Sequence, residues 1–459
     1  MPSVIFSRWM ASQKSRAHTM RGAPVFYRNL EEALDVRRKD HGLYTLVKNT
    51  WAEGTTVDFC SNDSLSFGAS GRLREAFEEE LAQNPDAQIG AGGSRLMDGN
   101  YDYIEKVEQE IAEYHGAEAA LIVGSGCDGN YAIFEGIPRP GDAIIYDQLV
   151  HASIMDGMSR SLASTKVSFA HNDVDAFREA LISVWDAQPL IRQGKKCVLI
   201  VVESFYSMEG DMSPLKELVQ AAKEIFPGGN AQFIVDEAHS MGVVGERGLG
   251  CVNALELDSE IAIKTHTFNK AFGSIGVFTA APAFHQVAAI RAGYALMPQL
   301  QTKAGRENIQ YLVKRLFTKI TSHPIWEEAS DRNIISIPVL EDWEERDFQT
   351  QLVPLWTRER YGHWLTFHLD ARNYSAFPVK YPVVPKGGAR LRVVIHANHT
   401  EEQIDGLVAA VCEWAEEMVQ IETGTGGRGK VPWAAQQVYA LTEEEGVNRV
   451  GDESAAKAN

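Results

Sequence analysis

Short β-rich apolar runs alternate with helical patterns between about residue 100 and residue 275. Strands that alternate with helices in this way form a parallel sheet joined by crossover helices. The predicted strands are Ala119–Val123, Ala143–Tyr146, Lys166–Phe169, Cys197–Val202, Phe233–Val235 and Ile261–Thr265. They lack a strict alternation of polar and apolar residues, which is typical of strands buried on both faces. The chain is therefore predicted to be an α/β protein with a mainly parallel sheet in a large domain.

Helix ends can be predicted from their capping residues. Tyr101–His115 has apolar residues at helical spacing and is followed by Gly116, which suits the left-handed position after a helix. Ser213-Pro214 predicts the start of another helix, with the serine as N-cap and the proline in the first turn. Thr400–Gln403 has the pattern of a capping box. The apolar stripe behind that box is Ile404, Leu407, Val411 and Trp414.

The pattern changes past about residue 285 to long amphipathic helices, two short strands and a closing helix, which indicates a smaller C-terminal α+β domain. We predict a basic N-terminal extension over 1–27, an N-terminal segment over 28–75 and a large domain over 76–285. The small domain covers 286–420, and a loose tail covers 421–459. The extension is rich in arginine and serine and has no acid, so it is either a plain basic extension, which we favour, or a mitochondrial presequence. The expected location is therefore cytoplasmic, with mitochondrial as the alternative.

The overall charge narrows the classes of partner. The 44 Lys and Arg residues against 62 Asp and Glu residues give a net charge of −18, which repels nucleic acid and anionic membrane surfaces. No apolar run reaches the length of a membrane span. The cysteines do not have metal-ligand spacing, and we expect them to be reduced: Cys60, Cys127, Cys197, Cys251 and Cys412. Small-molecule chemistry is therefore predicted, without nucleic acid, membrane span or metal.

Three motifs follow predicted strands. Asp236 ends one apolar run, and His239 lies three residues later; alone, Asp236 would be interpreted as a helix cap. Lys270 lies 34 positions after Asp236, just after the next run, so both can reach the carboxyl edge of the sheet, where open α/β sheets bind ligands. Gly124-Ser125-Gly126 leads from a strand towards a helix and offers backbone amides to a phosphate. A lysine, an acid and phosphate donors are what pyridoxal 5'-phosphate (PLP) needs, with Lys270 as the Schiff-base lysine and Asp236 at the pyridine nitrogen.

Together these motifs resemble those of the α-oxoamine synthases, a PLP-dependent family of fold type I, most of all fungal proteins similar to 8-amino-7-oxononanoate synthase. The likeness extends from about Phe26 to Met418. Further motifs that carry it are Phe59–Asp63, Gly90–Arg95, Tyr146-Asp147, His151–Ser153, Phe205–Asp211 and Arg390–Arg392. Each motif is weak alone, but their order and spacing are specific.

The resemblance implies a role for each matching position. His151 would stack on the cofactor ring, and Ser207 and His239 would lie near its phenolic oxygen. The phosphate would be held by Ser125, Gly126, the amide of Cys127 and the hydroxyl of Thr267. Arg392, helped by Asn62, would clamp the carboxylate of the amino acid. Without the family, His151 and Arg392 would be interpreted as a buried structural histidine and a strand-surface arginine.

The chain departs from the family pattern at three places. Cys127 stands where an aromatic residue is usual, and Ser64 stands where a tyrosine is usual. The segment after Gly273 is shorter than in family members, and Phe278–Pro282 follows almost at once. If this run is the remnant of a family motif, Thr279 would reach the phosphate of the neighbouring subunit in a homodimer. The shortening predicts an impaired chain with weaker PLP retention.

The resemblance implies a decarboxylative condensation of a small amino acid with an acyl-CoA, which yields an α-amino ketone, CoA and CO₂. L-Alanine and pimeloyl-CoA are the favoured substrates, with a role in biotin biosynthesis, and the protein is expected to be a homodimer with active sites at the interface. Lys270, His151, His239 and Asp236 are the expected catalytic residues. The alternatives are a non-catalytic or impaired partner subunit, which the presence of Lys270 opposes, and an aminotransferase of the same fold type.

Overall fold

The computed structural model describes residues 9–39, 43–45, 54–272, 282–381, 383–425 and 431–440. Its strands are β1 Val57–Asp58, β2 Ala143–Asp147, β3 Thr165–Phe169, β4 Val198–Glu203, β5 Ala231–Asp236, β6 Ile261–Thr265, β7 Ile335–Ser336, β8 Leu352–Thr357, β9 Tyr374–Ser375, β10 Phe377–Val379 and β11 Arg390–Val394. Its α-helices are α1 Val25–Lys39, α2 Arg72–Gln83, α3 Asp102–His115, α4 Gly126–Gly136, α5 Ala152–Ser159, α6 Val174–Ala187, α7 Pro189–Arg192, α8 Leu215–Ile225, α9 Cys251–Ala254, α10 Phe284–Leu296, α11 Leu300–Thr321, α12 Ile325–Asp331, α13 Tyr361–Ala371 and α14 Glu401–Thr423.

The large domain is built on a parallel five-stranded sheet in the order β3-β2-β4-β5-β6. Neighbouring residues of one strand pack into different apolar clusters, Ile145 on one face of the sheet and Ile144 on the other. Every residue of β4 is buried. This double burial explains why the central strands do not alternate in sequence, and the predicted α/β fold is confirmed.

The predicted strand at Ala119–Val123 is wrong. These residues form neither helix nor strand. The backbone amide of Ile122 donates to Glu108 Oε1 at 2.6 Å instead of to a ladder partner, and Leu121 is 70% exposed. A run of high β-propensity becomes a strand only where a partner strand is available to pair with it.

Two of the predicted helix ends have the expected residues, and one does not. The helix α3 ends at Gly116, whose φ of 62° is left-handed, and Thr400 caps α14 in a capping box with Gln403. The residue before α8 is Pro214, whereas Ser213 was expected as the cap. The Ser213 hydroxyl is buried without a hydrogen-bond partner, so it does not cap the helix. The amide of Leu215 donates to the backbone carbonyl of Ser213 at 2.8 Å instead.

The small domain contains an antiparallel sheet in the order β10-β11-β8-β7. Helix α13 packs on this sheet, and α14 packs on α11, α12 and α13. The predicted apolar stripe of α14 is buried, in the same apolar cluster as residues of β8 and β11. The short strand β1 from the N-terminal segment pairs with β9, and this pairing joins that segment to the small domain. The helix α10, at the predicted domain boundary, packs through Val287 and Ile290 against α3 of the large domain. The domain boundaries themselves stay a prediction.

Segments from both ends of the described chain meet on α13. Trp9 stacks on His363 with ring centroids 4.9 Å apart. A helical segment over 433–440 packs beside it. We call this apolar cluster the terminal clamp; its buried members are Trp9, Met10, Phe367, Ala434, Ala435 and Val438. The expectation of a loose tail from residue 421 is therefore wrong for 421–423, which lie in α14, and for 431–440.

Candidate functional site

The carboxyl ends of three neighbouring strands define the candidate site. In the sheet register Glu203 pairs with Asp236, and Asp236 pairs with Thr265. The segments that leave β5 and β6 carry His239 and Lys270 only a few residues later. The predicted placement of these side chains at one edge of the sheet follows from this parallel register.

Asp236 is buried, and both of its carboxylate oxygens have a donor. The amide of Ala238 donates to Oδ1 at 2.9 Å, and Asn130 Nδ2 donates to Oδ2 at 3.2 Å. Asn130 also donates to Ser153 Oγ at 3.0 Å, and Ser153 Oγ lies 2.7 Å from His151 Nδ1. A continuous series of hydrogen bonds thus joins Asp236 to His151. This series fixes the orientation of both predicted site residues.

Lys270 lies in an environment that disfavours its charged form. Burial lowers its pKa, although the carboxylates of Asp236 and Glu203 raise it, and the Arg392 guanidinium lowers it further. The net direction is downward. A lysine with a lowered pKa has a larger share of free amine near neutral pH, which suits it for nucleophilic or basic work.

His239 is buried and close to several positive charges. Burial lowers its pKa well below the usual range, and Lys270, Arg392 and His151 lower it further. Its imidazole is therefore neutral and can donate one N–H. The backbone carbonyl of His239 accepts a hydrogen bond from Gln351 of the small domain at 2.9 Å, so both domains hold this residue.

The start of α4 forms a candidate anion site. Ser125 caps the helix, accepting from the amide of Asp128 at 3.1 Å, and Cys127 lies half-buried in its first turn. A Cβ on Gly126 would lie 2.4 Å from Thr267 Oγ1. The helix N-terminus and the Thr267 hydroxyl therefore adjoin, and only glycine fits between them. Backbone amides and a helix N-terminus in this arrangement attract a phosphate.

Arg392 and Asn62 meet although they are far apart in sequence. Arg392 Nη2 donates to Asn62 Oδ1 at 3.1 Å. Burial lowers the pKa of Arg392, and Cys60 raises it. The net direction is downward, but a guanidinium has so high an ordinary pKa that Arg392 remains charged near neutral pH, and it can bind a carboxylate beside Lys270.

Ser207 lies half-buried in a turn that follows β4. Arg390 of the small domain donates through Nη1 to Met208 O at 2.9 Å and to Glu209 Oε1 at 2.8 Å, which holds this turn. Thr279 and the shortened segment after Gly273 lie outside the described residues. The predicted role of Thr279 stays a prediction.

Three residues of the site were missed from the sequence. Glu203 ends the buried strand β4, and burial raises its pKa well above the usual range, helped by the nearby Asp236. Asn130 and Ser153 connect Asp236 to His151. An acid at the end of an otherwise apolar strand was a signal for Glu203. Asn130 gave no such signal, because its contact with Asp236 is a matter of tertiary structure.

Known proteins share this fold and much of this sequence. The profile of the aminotransferase class I and II family matches residues 55–304. A protein named aminoacyl transferase sphA from Aspergillus fumigatus is 52% identical over 453 residues, covering 94% of this chain and 96% of the relative. An 8-amino-7-oxononanoate synthase from Emericella nidulans is 34% identical over 412 residues, covering 85% and 96%. A solved structure of SPT with PLP internal aldimine has a TM-score of 0.65 at 23% identity, covering 79% of this chain and 87% of that one.

Proposed function

Because this chain belongs to the α-oxoamine synthases, a family within the aminotransferase class I and II proteins, we propose that it is a PLP-dependent acyltransferase. It condenses a small amino acid with an acyl-CoA, releases CoA and CO₂ and leaves an α-amino ketone. The observation that carries the proposal is the position of Lys270, whose pKa burial lowers, near enough to the doubly hydrogen-bonded Asp236 for the two charges to interact.

The residues at the site fit PLP. Lys270 would hold its aldehyde end, and Asp236 would hold its pyridine nitrogen. Ser125, Gly126, the Cys127 amide and Thr267 would hold its phosphate, since the Thr267 hydroxyl lies against the side-chain-free Gly126 at the start of α4. His151, fixed by Ser153, would lie against its ring, and Ser207 would lie near its phenolic oxygen. When bound, PLP supplies an electron sink for negative charge at the α-carbon.

The side chains of this chain supply the rest of the chemistry. Arg392, with Asn62, binds and orients the carboxylate of the amino acid. Lys270, as a free amine, takes the proton from the α-carbon. His239 is neutral, and its N–H donates to the carbonyl oxygen of the thioester, where negative charge develops during attack; His151 is a second candidate for this role.

The choice of substrate rests on the comparisons. L-Alanine and pimeloyl-CoA are the first pair to test, because a relative at 34% identity is named 8-amino-7-oxononanoate synthase. A relative at 52% identity is named aminoacyl transferase, which keeps glycine, serine and other acyl groups in the test set. A role in biotin biosynthesis applies only if the first pair reacts.

A homodimer is part of the proposal. The apolar side chains of Val25, Phe26 and Leu30 on α1 are at least half exposed, and Ile89 and Leu96 are exposed still more. Apolar surface of this kind is suited to burial between two copies of the chain. Light scattering of the purified protein should give twice the mass of one chain, and a monomer mass at micromolar concentration would contradict the dimer.

The enzyme proposal is tested by spectroscopy and by product analysis. Purified protein with PLP should show a visible absorption band that shifts when the amino acid is added, and CoA should be released only when acyl-CoA is also present. The Lys270→Ala variant should lose the band and the CoA release. Lys264→Ala is the matched control, since Lys264 lies on the adjacent strand β6 and pairs with Asp258 at 2.6 Å. Transamination of the amino acid without CoA release would favour an aminotransferase instead.

A further inference from the structure

His171 lies between two carboxylates beside the candidate site. Its Nδ1 is 3.0 Å and 3.1 Å from the two carboxylate oxygens of Asp147, and its Nε2 is 2.9 Å from Asp211 Oδ2. Ionised carboxylates only accept hydrogen bonds, so both ring nitrogens must carry hydrogen. His171 is therefore an imidazolium, with its side chain 15% exposed and that of Asp147 fully buried.

The charge of this imidazolium is stable around neutral pH. Burial acts to lower the pKa of His171, but the hydrogen bonds to Asp147 and Asp211 raise it to about 10. The Tyr206 ring and the imidazole pack nearly perpendicular to each other, with centroids 4.5 Å apart. The guanidinium groups of Arg346 and Arg390 face Asp211 from the small domain.

The bridge spans the ends of three strands. His171 follows β3, Asp147 ends β2, and Asp211 lies in the turn after β4, while β2 lies between the other two strands. Asn172 reinforces it, since its amide donates to Asp147 Oδ2 at 2.9 Å and its Nδ2 donates to Asp211 Oδ2 at 3.1 Å. Its φ of 53° lies in the left-handed region, which asparagine tolerates better than most residues.

Each aspartate of the bridge anchors a segment that carries a site residue, Asp147 through its carboxylate and Asp211 through its backbone carbonyl. Asp147 Oδ1 accepts from the amide of Leu149 at 2.8 Å, inside the loop that leads to His151. The carbonyl of Asp211 accepts from the amide of Tyr206 at 3.1 Å, which closes the turn that carries Ser207. Both segments lie beyond the strand ends, where the sheet no longer fixes them.

We propose that His171 is a positioning residue, a cationic bridge that sets the distance between the loop 147–151 and the turn 206–211. It thereby aims His151 and Ser207 at the same cofactor. This inference rests on the proposed function, because that function supplies the cofactor towards which the two segments are aimed. The sheet does not depend on the bridge for its pairing, because β2 and β4 are hydrogen-bonded to each other as far as the pair Tyr146 and Val201.

A double-mutant cycle separates positioning from general stability. His171→Gln keeps a side chain of similar length, but its neutral amide cannot donate to both Asp147 and Asp211 from opposite sides as the imidazolium does. This variant should lower kcat by about tenfold, with a smaller effect on the KM of the amino acid. In a His151→Ala background the same substitution should cost much less, since the ring to be positioned is absent. Equal losses of kcat in both backgrounds would overturn the proposal.

His368→Gln is the matched control. His368 is also buried, beside Glu413 of the small domain at 3.7 Å, and it takes no part in the site. It should lower thermal stability without the kcat loss of His171→Gln. If both variants lose kcat equally, the effect of His171 is one of stability alone and the proposal fails.

Hydrogen exchange of the cofactor-free protein tests the bridge independently of the reaction. In His171→Gln the amides of 148–151 and 207–210 should exchange at least several-fold faster than in the unmodified chain, while those of α14 stay unchanged. Should that variant not fold, Asp211→Asn takes its place, because it keeps the pair of His171 and Asp147. Unchanged exchange in both segments, or a uniform increase over the whole chain, overturns the proposal. A chain that binds no PLP but shows the local increase would refute the proposed function and keep the bridge.

Discussion

Gly126 has no room for a side chain beside Thr267. A methyl group there would lie 2.4 Å from the Thr267 hydroxyl, so the start of α4 or the Thr267 side chain would have to move. We therefore expect Gly126→Ala to weaken PLP binding by about tenfold or more, because it displaces the phosphate donors, while the fold is kept. Titration of the visible band with PLP measures this.

Gly129 gives the control on the same helix. Its added methyl would meet Val123 Cγ2 at 3.4 Å, an ordinary contact, so Gly129→Ala should bind PLP normally. Equal weakening in both variants would show that loss of helix α4 flexibility, and not the contact with Thr267, is responsible.

Arg392 is expected to recognise the amino acid through two parallel hydrogen bonds. Arg392→Lys should raise the KM of the amino acid by about tenfold or more and change that of acyl-CoA little, since lysine offers no planar fork. Steady-state kinetics with each substrate varied in turn measures this. Arg372→Lys, at an exposed ion pair with Glu413, should change neither KM. A similar rise in both KM values for Arg392→Lys would contradict the assignment.

At the scale of single residues, the sequence was informative where chemistry lies close to a strand end. Lys270 and Asp236 follow buried strands, and parallel register brings such positions together. Asn130 lies inside α4, and its bond to Asp236 depends on how that helix packs over the sheet. Periodicity carries no information about such a contact, so the residue could not have been chosen in advance.

The elements show a similar division. Strands β2 to β6 could be predicted to within a few residues. The signal is strongest for β2 and β4, because strands buried on both faces have continuous apolar runs. Ala119–Val123 has the same composition but no partner in the described structure, which no local pattern reveals. The prediction of Ser213 as the N-cap of α8 was also wrong, because the helix begins one residue later than expected and Pro214 is its N-cap.

The terminal clamp is an element whose contribution can be measured. Trp9 is 4% exposed and stacks on His363, so Trp9→Ala should reduce the free energy of unfolding by about 3 kcal/mol. Trp433→Ala is the control, because Trp433 is 41% exposed and should cost about 1 kcal/mol or less. Urea unfolding of the three proteins compares them. Equal stabilities would mean that burial of Trp9 in the clamp does not stabilise the fold.

At the scale of the whole molecule, stability should depend on the charge of His171. Its pKa in the folded protein is raised to about 10, against about 6.5 unfolded. The stabilisation is therefore complete below pH 6.5 and is lost as the pH rises towards 10. The difference in free energy of unfolding between the unmodified chain and His171→Gln should shrink from pH 7 to pH 10. A difference that stays constant over this range would contradict the charged state assigned to His171.

The terminal clamp also bears on the order in which the chain folds. Trp9 and Val438 belong to one cluster although nearly the whole sequence separates them. During synthesis the sheet of the large domain can form while the segment over 433–440 is still unmade, whereas Trp9 must wait for it. Closing so long a loop also has a high entropic cost unless the domains between its ends are already compact. Docking of the two segments on α13 is therefore expected as a late step of folding, during which Trp9 and Met10 stay open to chaperones and proteases.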